Sequence, residues 1–244
     1  MSKRIALTGT ASALGVAIVR ELYAKDLSVV GLSESISPHL GWHHVDLTDA
    51  AAVANLRTGV LDGLINAAER LPEDGGAVEI LEFNWFCTRL LTDTLLPQLA
   101  PGAAIATLAS RAGREWRKNL SQVRRLMALP HSDRLPDFVR NEKIDPDRAY
   151  ALSKEAHIVW TKQNAGVLRA RDLRANTISP AADGGPEPAD GKNRQKAHLG
   201  SVAAVAGFLV DRGSSWIHGQ DLIVDGGCSA AQEAQALGLN SQTY

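Results

Sequence analysis

Tyr150 and Lys154, in the stretch YALSK, stand four residues apart in a segment with helical spacing. That separation stacks a phenol and an ammonium on one helix face. A free phenol titrates near pH 10, too high for ready proton exchange at neutrality. A nearby positive charge favours the phenolate and lowers that value, which would turn Tyr150 into a usable acid and base. Such a pair also arises by chance on many helices, so the remainder of the chain has to decide. Ser110, in LASRAG, follows an apolar run, and its hydroxyl could orient a substrate oxygen and steady a developing alkoxide. Asn84, in LEFNWF, is a polar residue in a helical segment, where local satisfaction is the plain alternative. TGTASALG, Thr8 to Gly15, is a glycine-containing turn between a strand and a helix. A turn of this kind offers backbone N–H groups and a helix N-terminus to a pyrophosphate. Gly9 would permit the tight turn and Gly15 close helix–sheet packing; taken alone, the turn also suits a connection that binds nothing.

These groups need elements to hold them. Strand-like runs occur at Arg4 to Leu7, Ser28 to Leu32, Trp42 to Val45, Gly63 to Ile65, Ala103 to Ala109, Arg174 to Ser179 and Asp221 to Val224. Helical patterns lie near Leu14 to Lys25, Val78 to Leu99, Asp147 to Ala170 and Ser201 to Asp211. Alternation of strand and helix predicts an α/β fold, a doubly wound parallel sheet in a single domain over residues 1–244. Nearly all-apolar strands are those of a sheet covered on both faces. Residues 114–146 interrupt the rhythm with no strand; LSQVRRLMAL has helical spacing and HSDRLPDFVRNEK suits a second short helix. Trp116, Leu120, Val123, Leu126 and Met127 recur as one apolar stripe, which favours packing on the chain's own core or on a second subunit over contact with substrate.

Composition sets the outer limits. A chain of 244 residues with 45% hydrophobic and 22% charged residues suits a globular domain with a sizeable core. A formal net charge of -1 gives no global footprint for nucleic acid or an acidic membrane surface. Cys87 and Cys228 are too few for a disulfide framework and fit a reducing compartment. The N-terminus runs into a strand without a secretory signal, and no apolar run reaches the length of a membrane span, so the expectation is a cytoplasmic protein. His43-His44 is not expected to bind metal, because adjacent strand residues point to opposite faces.

The motifs TGTASALG, INAA, Asn84, LASRAG, YALSK, NTISP and GQDLIVDGG follow one another in the order of the short-chain dehydrogenase/reductase family, which the whole chain resembles. The resemblance implies a Rossmann fold, a nicotinamide dinucleotide, and hydride transfer between a carbonyl and an alcohol. It implies Tyr150 as general acid in reduction and base in oxidation, Lys154 as its partner and holder of the nicotinamide ribose, Ser110 as the substrate-orienting hydroxyl, and Asn84 as the holder of a relay water. It places the cofactor against Thr8, Gly9, Ser12, Ala13, Leu14, Gly15, Ser33, Asp46, Leu47, Asn66, Ala67, Ala68, Pro180, Ala182 and Asp183. In the family the serine precedes the tyrosine by little more than a dozen residues; here the gap is 40 (150 − 110). The 114–146 insertion resembles that of the subset holding bacterial 3α-hydroxysteroid dehydrogenase/carbonyl reductase and coniferyl alcohol dehydrogenase. That likeness implies a bulky cyclic or aromatic alcohol or carbonyl compound as substrate; Trp116, the apolar residue of the stripe closest in sequence to Ser110, would offer a flat wall for its ring, and a homodimer or homotetramer is expected.

Four positions depart from the family pattern. Ala13 and Ala68 stand where glycine is usual, Ala181 follows Pro180 where glycine is usual, and AADGGPEPADG lacks a threonine. Each amounts to a methyl of crowding or one lost hydrogen bond, on the order of 1 kcal/mol. Ser33 takes the position of the acidic residue that holds the adenosine ribose of NAD. It does not repel a 2′-phosphate, yet residues 33–37 supply no cation to hold one, so the reading leans to NAD with NADP open. The departures keep a catalytically silent NAD(P)-binding sensor or scaffold as the alternative, and another chemistry on the same scaffold, epimerisation or dehalogenation, as a third. The segment from Asp183 to Gly200 is polar and Gly/Pro-rich; by the resemblance it corresponds to the family's substrate loop, here without a long apolar helix.

Overall fold

The computed structural model describes residues 2–34, 42–181 and 191–239, without the side chains of residues 191–197. Seven parallel strands form one sheet in the order β3-β2-β1-β4-β5-β6-β7. They are β1 Arg4–Thr8, β2 Ser28–Ser33, β3 His43–His44, β4 Leu61–Asn66, β5 Leu99–Leu108, β6 Arg174–Pro180 and β7 Asp221–Val224. Successive side chains of a strand point to opposite faces, and two cores follow. On one face Ile5, Leu7, Ile65 and Ala104 pack under α1 (Ala13–Ala24) and α9 (Gly191–Leu209). On the other, Ala6, Leu64 and Ile105 pack under α2 (Ala50–Ala54), α3 (Ala77–Leu81), α4 (Thr88–Leu95) and α7 (Pro146–Gln163). All seven expected strands are present; β5 starts earlier than expected, at Leu99.

The helices depart more. The segment expected as one helix from Val78 to Leu99 is α3, a turn of π-helix at Glu82–Cys87, α4, and a 3₁₀ turn at Leu96–Gln98. α8 (Ala165–Ala170) continues after α7. Residues 191–200, expected as polar loop, form the start of α9. Their sequence, GKNRQKAHLG, has no apolar stripe to announce it. Nor does α10 (Cys228–Ala236), which has no buried residue, while α2 is too short to display a period.

The insertion is helical and strand-free. After a 3₁₀ turn at Arg111–Glu115 come α5 (Leu120–Met127), a 3₁₀ turn at Ser132–Arg134, and α6 (Leu135–Glu142). Val123 and Leu126 of α5 and Leu135 and Phe138 of α6 are buried in the same core as α7. A polar chain ties the pieces together. Fully buried Glu155 of α7 accepts from Asn119 Nδ2 at 2.6 Å and from Arg148 at 2.6 Å. Arg148 donates to Gln122 Oε1 at 2.9 Å, and Gln122 donates to Glu142 at 3.2 Å. Glu142 takes a two-pronged bond from Arg125 at 2.6 and 2.9 Å. Removing one partner of a buried charged pair leaves the other uncompensated, a loss of about 3 kcal/mol. Glu155→Ala is therefore expected to lower the unfolding free energy by about 3 kcal/mol in urea titration, against less than 1 kcal/mol for the exposed pair partner in Lys118→Ala.

Candidate active site

α7 begins as its sequence dictates. Asp145 caps it by accepting the Arg148 N–H at 2.7 Å, and Pro146 occupies the first turn, where its missing N–H is harmless. Tyr150 and Lys154 then stack, with the Lys154 Nζ 5.1 Å from the phenol ring centroid. Lys154 is 1% exposed. A buried ammonium demands partners, and it donates to the Leu108 carbonyl at 3.1 Å and to Glu69 Oε2 at 2.6 Å. The same Oε2 accepts the Tyr150 hydroxyl at 3.1 Å. Ser110, at the C-terminal end of β5, is buried; its Oγ accepts the Ala112 N–H at 3.1 Å and its hydroxyl also hydrogen-bonds with Tyr150. The structure thus brings Ser110, Tyr150 and Lys154 together.

The electrostatics differ from expectation. Burial raises the Tyr150 phenol above its ordinary value; Lys154 pulls it down, but Glu69 pushes it up and the net shift is upward. Burial is the main reason, and Glu69, which pairs the very charge that was to acidify the phenol, adds to it. Burial alone would lower the Lys154 ammonium, but Glu69 and Tyr150 outweigh it and hold the group charged. No sequence motif marked Glu69, which lies 81 residues from Tyr150.

Glu69 sits in a short segment fixed at both ends. Thr8 Oγ1 accepts the N–H groups of Ala67 and Ala68 at 2.9 and 3.0 Å. Asn84 accepts the Arg70 N–H at 2.7 Å and donates to the Arg70 carbonyl at 2.9 Å. Asn84 is 1% exposed, on the π-helical turn, and its carboxamide reaches Ser153 Oγ at 3.4 Å. Gly9, at φ +71°, lets the same segment approach, since a Cβ there would lie 2.7 Å from the Ala67 carbonyl oxygen. Gly15 packs against the turn rather than the sheet, its would-be Cβ 2.0 Å from Gly9 O.

At the sheet's C-terminal edge, Ser12 caps α1 by accepting the Gly15 N–H at 2.9 Å; Ser12 and Ala13 are exposed and the first turn of α1 carries no acid. Ala13 and Leu14 stand in the first helical turn, where N–H groups lack intrahelical partners. Together with the glycine at positive φ, this turn fits a pyrophosphate. Ser33 ends β2, half-buried. Asp46 is exposed, and hydrogen bonds from Thr48 hold its carboxyl below the usual range. Pro180 ends β6. Three expected contacts are not brought to this edge. Asn66 turns inward, donating to Thr92 and Thr107 at 3.1 and 3.2 Å, because its side chain bridges α4 and β5. Leu47 is buried in the core under α2 to α7. Trp116 lies beside Arg117 and Lys162, lining a groove of about 780 Å³ with Arg89 and Trp160. Twelve helical residues, or about 18 Å, separate Lys162 from Tyr150 along α7. Ala182 and Asp183 fall outside the described residues. Among the described residues no cluster of three His, Cys, Asp or Glu could hold a metal ion, and no helix is long and apolar enough to cross a membrane.

No protein-family model matches the chain. It is 26% identical over 250 residues to the coniferyl-alcohol dehydrogenase of Pseudomonas sp. (strain HR199 / DSM 7063), covering 94% of this chain and 97% of that protein. It is 24% identical over 260 residues to the 3-alpha-hydroxysteroid dehydrogenase/carbonyl reductase of Comamonas testosteroni, covering 93% and 96%. Among solved structures, the 3-alpha-hydroxysteroid dehydrogenase from Pseudomonas sp. B-0831, complexed with NADH, is similar with a TM-score of 0.76 and 25% identity, over 96% of this chain and 99% of that one.

One buried group beside the site reports on it through stability. His157, one turn from Lys154 and tilted against Trp85 with ring centroids 5.7 Å apart, is 7% exposed. Burial first, and the Lys154 charge second, push its imidazole down to about 3. A base held neutral in the folded chain but protonated when unfolded destabilises the fold as pH falls below about 6.5, with the loss complete near pH 3. Between pH 6.5 and 5 the contribution amounts to about 2 kcal/mol. Urea unfolding at pH 7 and pH 5 is expected to show that loss, and His157→Gln to reduce it.

Proposed function

We propose, from the premise that this chain belongs to the short-chain dehydrogenase/reductase family, that it is an NAD(P)-dependent oxidoreductase exchanging hydride between the nicotinamide and an alcohol or carbonyl compound. The observation that carries this reading is the convergence of the Tyr150 phenol, Lys154 ammonium and Ser110 hydroxyl at the sheet edge that also carries the Gly9–Ala13 turn. Ligands of open α/β sheets bind at that edge. The backbone of residues 9–14 would hold the pyrophosphate, Ser33, Asp46, Ala67 and Ala68 the adenosine end, and Lys154 and Pro180 the nicotinamide end. The dinucleotide, when bound, supplies the hydride acceptor or donor.

The chain's own groups do the rest. In reduction Tyr150 gives its proton to the carbonyl oxygen while the Ser110 hydroxyl steadies the growing negative charge. In oxidation Tyr150 takes the alcohol proton. Lys154 keeps a positive charge beside the phenol throughout. We read the substrate as a secondary alcohol or ketone, or an aromatic alcohol or aldehyde. Both curated relatives named above support that class. We read NAD as the cofactor, since Ser33 and Glu34 offer a 2′-phosphate no cation, with NADP the other candidate. We place the protein in the cytoplasm as a homodimer or homotetramer. A silent NAD(P)-binding sensor or scaffold is the second reading, favoured by the methyl groups at Ala13 and Ala68.

Tyr150→Phe is expected to lower turnover by about two orders of magnitude or more with cofactor affinity kept. Cofactor fluorescence titration and steady-state oxidation of an alcohol panel check this, and near-normal turnover would remove Tyr150 from the mechanism. Ser33→Asp is expected to sharpen NAD preference and abolish NADP use, measured as the ratio of kcat/KM for the two.

A further inference from the structure

We infer that Glu69 is part of the catalytic machinery: its carboxylate sets how tightly Tyr150 holds its proton and passes that proton between the phenol and solvent. This rests on the oxidoreductase reading, and it adds to it a residue that no motif supplied. Three observations carry it. One oxygen, Glu69 Oε2, touches both members of the pair, the Lys154 ammonium at 2.6 Å and the Tyr150 hydroxyl at 3.1 Å. Glu69 is far wetter than its cation, its side chain 30% exposed against 2% for that of Lys154. And its backbone is fixed on both sides, by Thr8 on Ala67 and Ala68 and by Asn84 on Arg70.

The last point separates Glu69 from a surface carboxylate that happens to meet a lysine. A salt bridge formed by a free loop loses its geometry easily and stabilises little. Here the segment 67–70 is held by four hydrogen bonds, so the carboxylate is aimed before any ligand arrives. Asn84 and Thr8 are then positioning residues acting through Glu69. The Asn84 carboxamide already serves the Arg70 N–H and carbonyl, and within the trio it is Glu69 that gives Tyr150 its proton partner.

The groups facing the carboxylate are Lys154 and Tyr150 from α7, with Ser110 behind Tyr150; Arg70 follows it in the chain and lies over the Phe83 ring at 4.8 Å. In oxidation the alcohol O–H proton passes to the Tyr150 oxygen, the phenol's own proton passes to Glu69 Oε2, and from there it leaves to water. The two electrons and the other hydrogen leave the carbinol carbon as hydride to the nicotinamide. A carbonyl, one released proton and the reduced dinucleotide result, and reduction runs the same path backwards. A carboxylate is a much weaker base than a phenolate, so Glu69 carries the proton in passing and returns to its charged form.

The test begins without cofactor or substrate. The chain has 3 tyrosines, and ultraviolet titration of wild type against Tyr150→Phe isolates the Tyr150 phenolate. In Glu69→Gln, a near-isosteric change, that phenolate is expected to appear at least about one pH unit lower, because the negative charge that opposes it is gone while Lys154 remains. An unchanged titration overturns the proposal. The second measurement is turnover on an alcohol panel. Glu69→Gln and Glu69→Ala are expected to lose about tenfold or more in kcat with little change in KM, and formate, a small carboxylate, to restore Glu69→Ala but not Glu69→Gln. Full turnover with an unchanged pH profile in Glu69→Gln, or no rescue by formate, overturns the relay. A wild-type chain inactive with both NAD and NADP would instead sink the oxidoreductase reading, and the titration would still decide whether Glu69 governs Tyr150.

Discussion

A lysine ammonium with 1% exposure cannot stand alone. Moving an isolated charge out of water is far costlier than any single packing gain. Lys154 is held by two partners from different parts of the sheet, the Leu108 carbonyl at the end of β5 and the Glu69 carboxylate beyond the end of β4. That requirement organises what surrounds it. The end of β4 must come to α7, so Gly9 must leave room for Ala67, and Thr8 and Asn84 must hold the chain on either side of Glu69. The glycine turn at the start of the fold and the proton-handling pair on α7 are therefore parts of one arrangement, joined through residues 67–70.

What the sequence disclosed, and what it hid, follows the range of the forces involved. The central strands β1, β2 and β4 were legible because burial on both faces leaves nearly uninterrupted apolar runs. Tyr150, Lys154 and Ser110 were legible because a helix repeat and a strand end are local geometry. Glu69 was not, since its meaning depends on a contact 81 residues away. The same holds for the shift of Tyr150. A pair considered alone predicts a lowered phenol, whereas burial and a third charge reverse the sign. Asn66 ends β4 with its side chain turned inward to Thr92 and Thr107, and Leu47, in the turn after β3, is packed into the core. Trp116 is close to Ser110 in sequence, yet the 3₁₀ turn after Ser110 carries it down α7 to Lys162. α9 begins earlier than any apolar stripe would indicate, because its first residues are polar.

The insertion between Ser110 and Tyr150 reads in sequence as a strand-free interruption with one apolar stripe. In the fold it braces the helix that bears Tyr150 and Lys154. Four apolar residues of α5 and α6 reach the core, and the polar chain from Arg125 to Glu155 runs through both of them to the turn of α7 immediately following Lys154. Its basic residues Arg114, Arg117, Lys118, Arg124 and Arg125 are exposed, and Arg125 also pairs with Glu142.

The π-helical turn at Glu82–Cys87 has a further consequence. A π turn is an α-helix carrying one extra residue, and it rotates everything beyond it by about 100° relative to an uninterrupted helix. Asn84 faces Arg70 from within that turn. Its reach to the 67–70 segment is thus encoded in helix phase, as a count of residues between Ala77 and Leu95, as much as in the identity of the asparagine. A single-residue deletion anywhere in that count would keep every side chain's chemistry and still unfasten the segment, whereas many substitutions on the outer surface of the same helices would leave it untouched. This stretch of the chain should accept changes of spelling far more readily than changes of length.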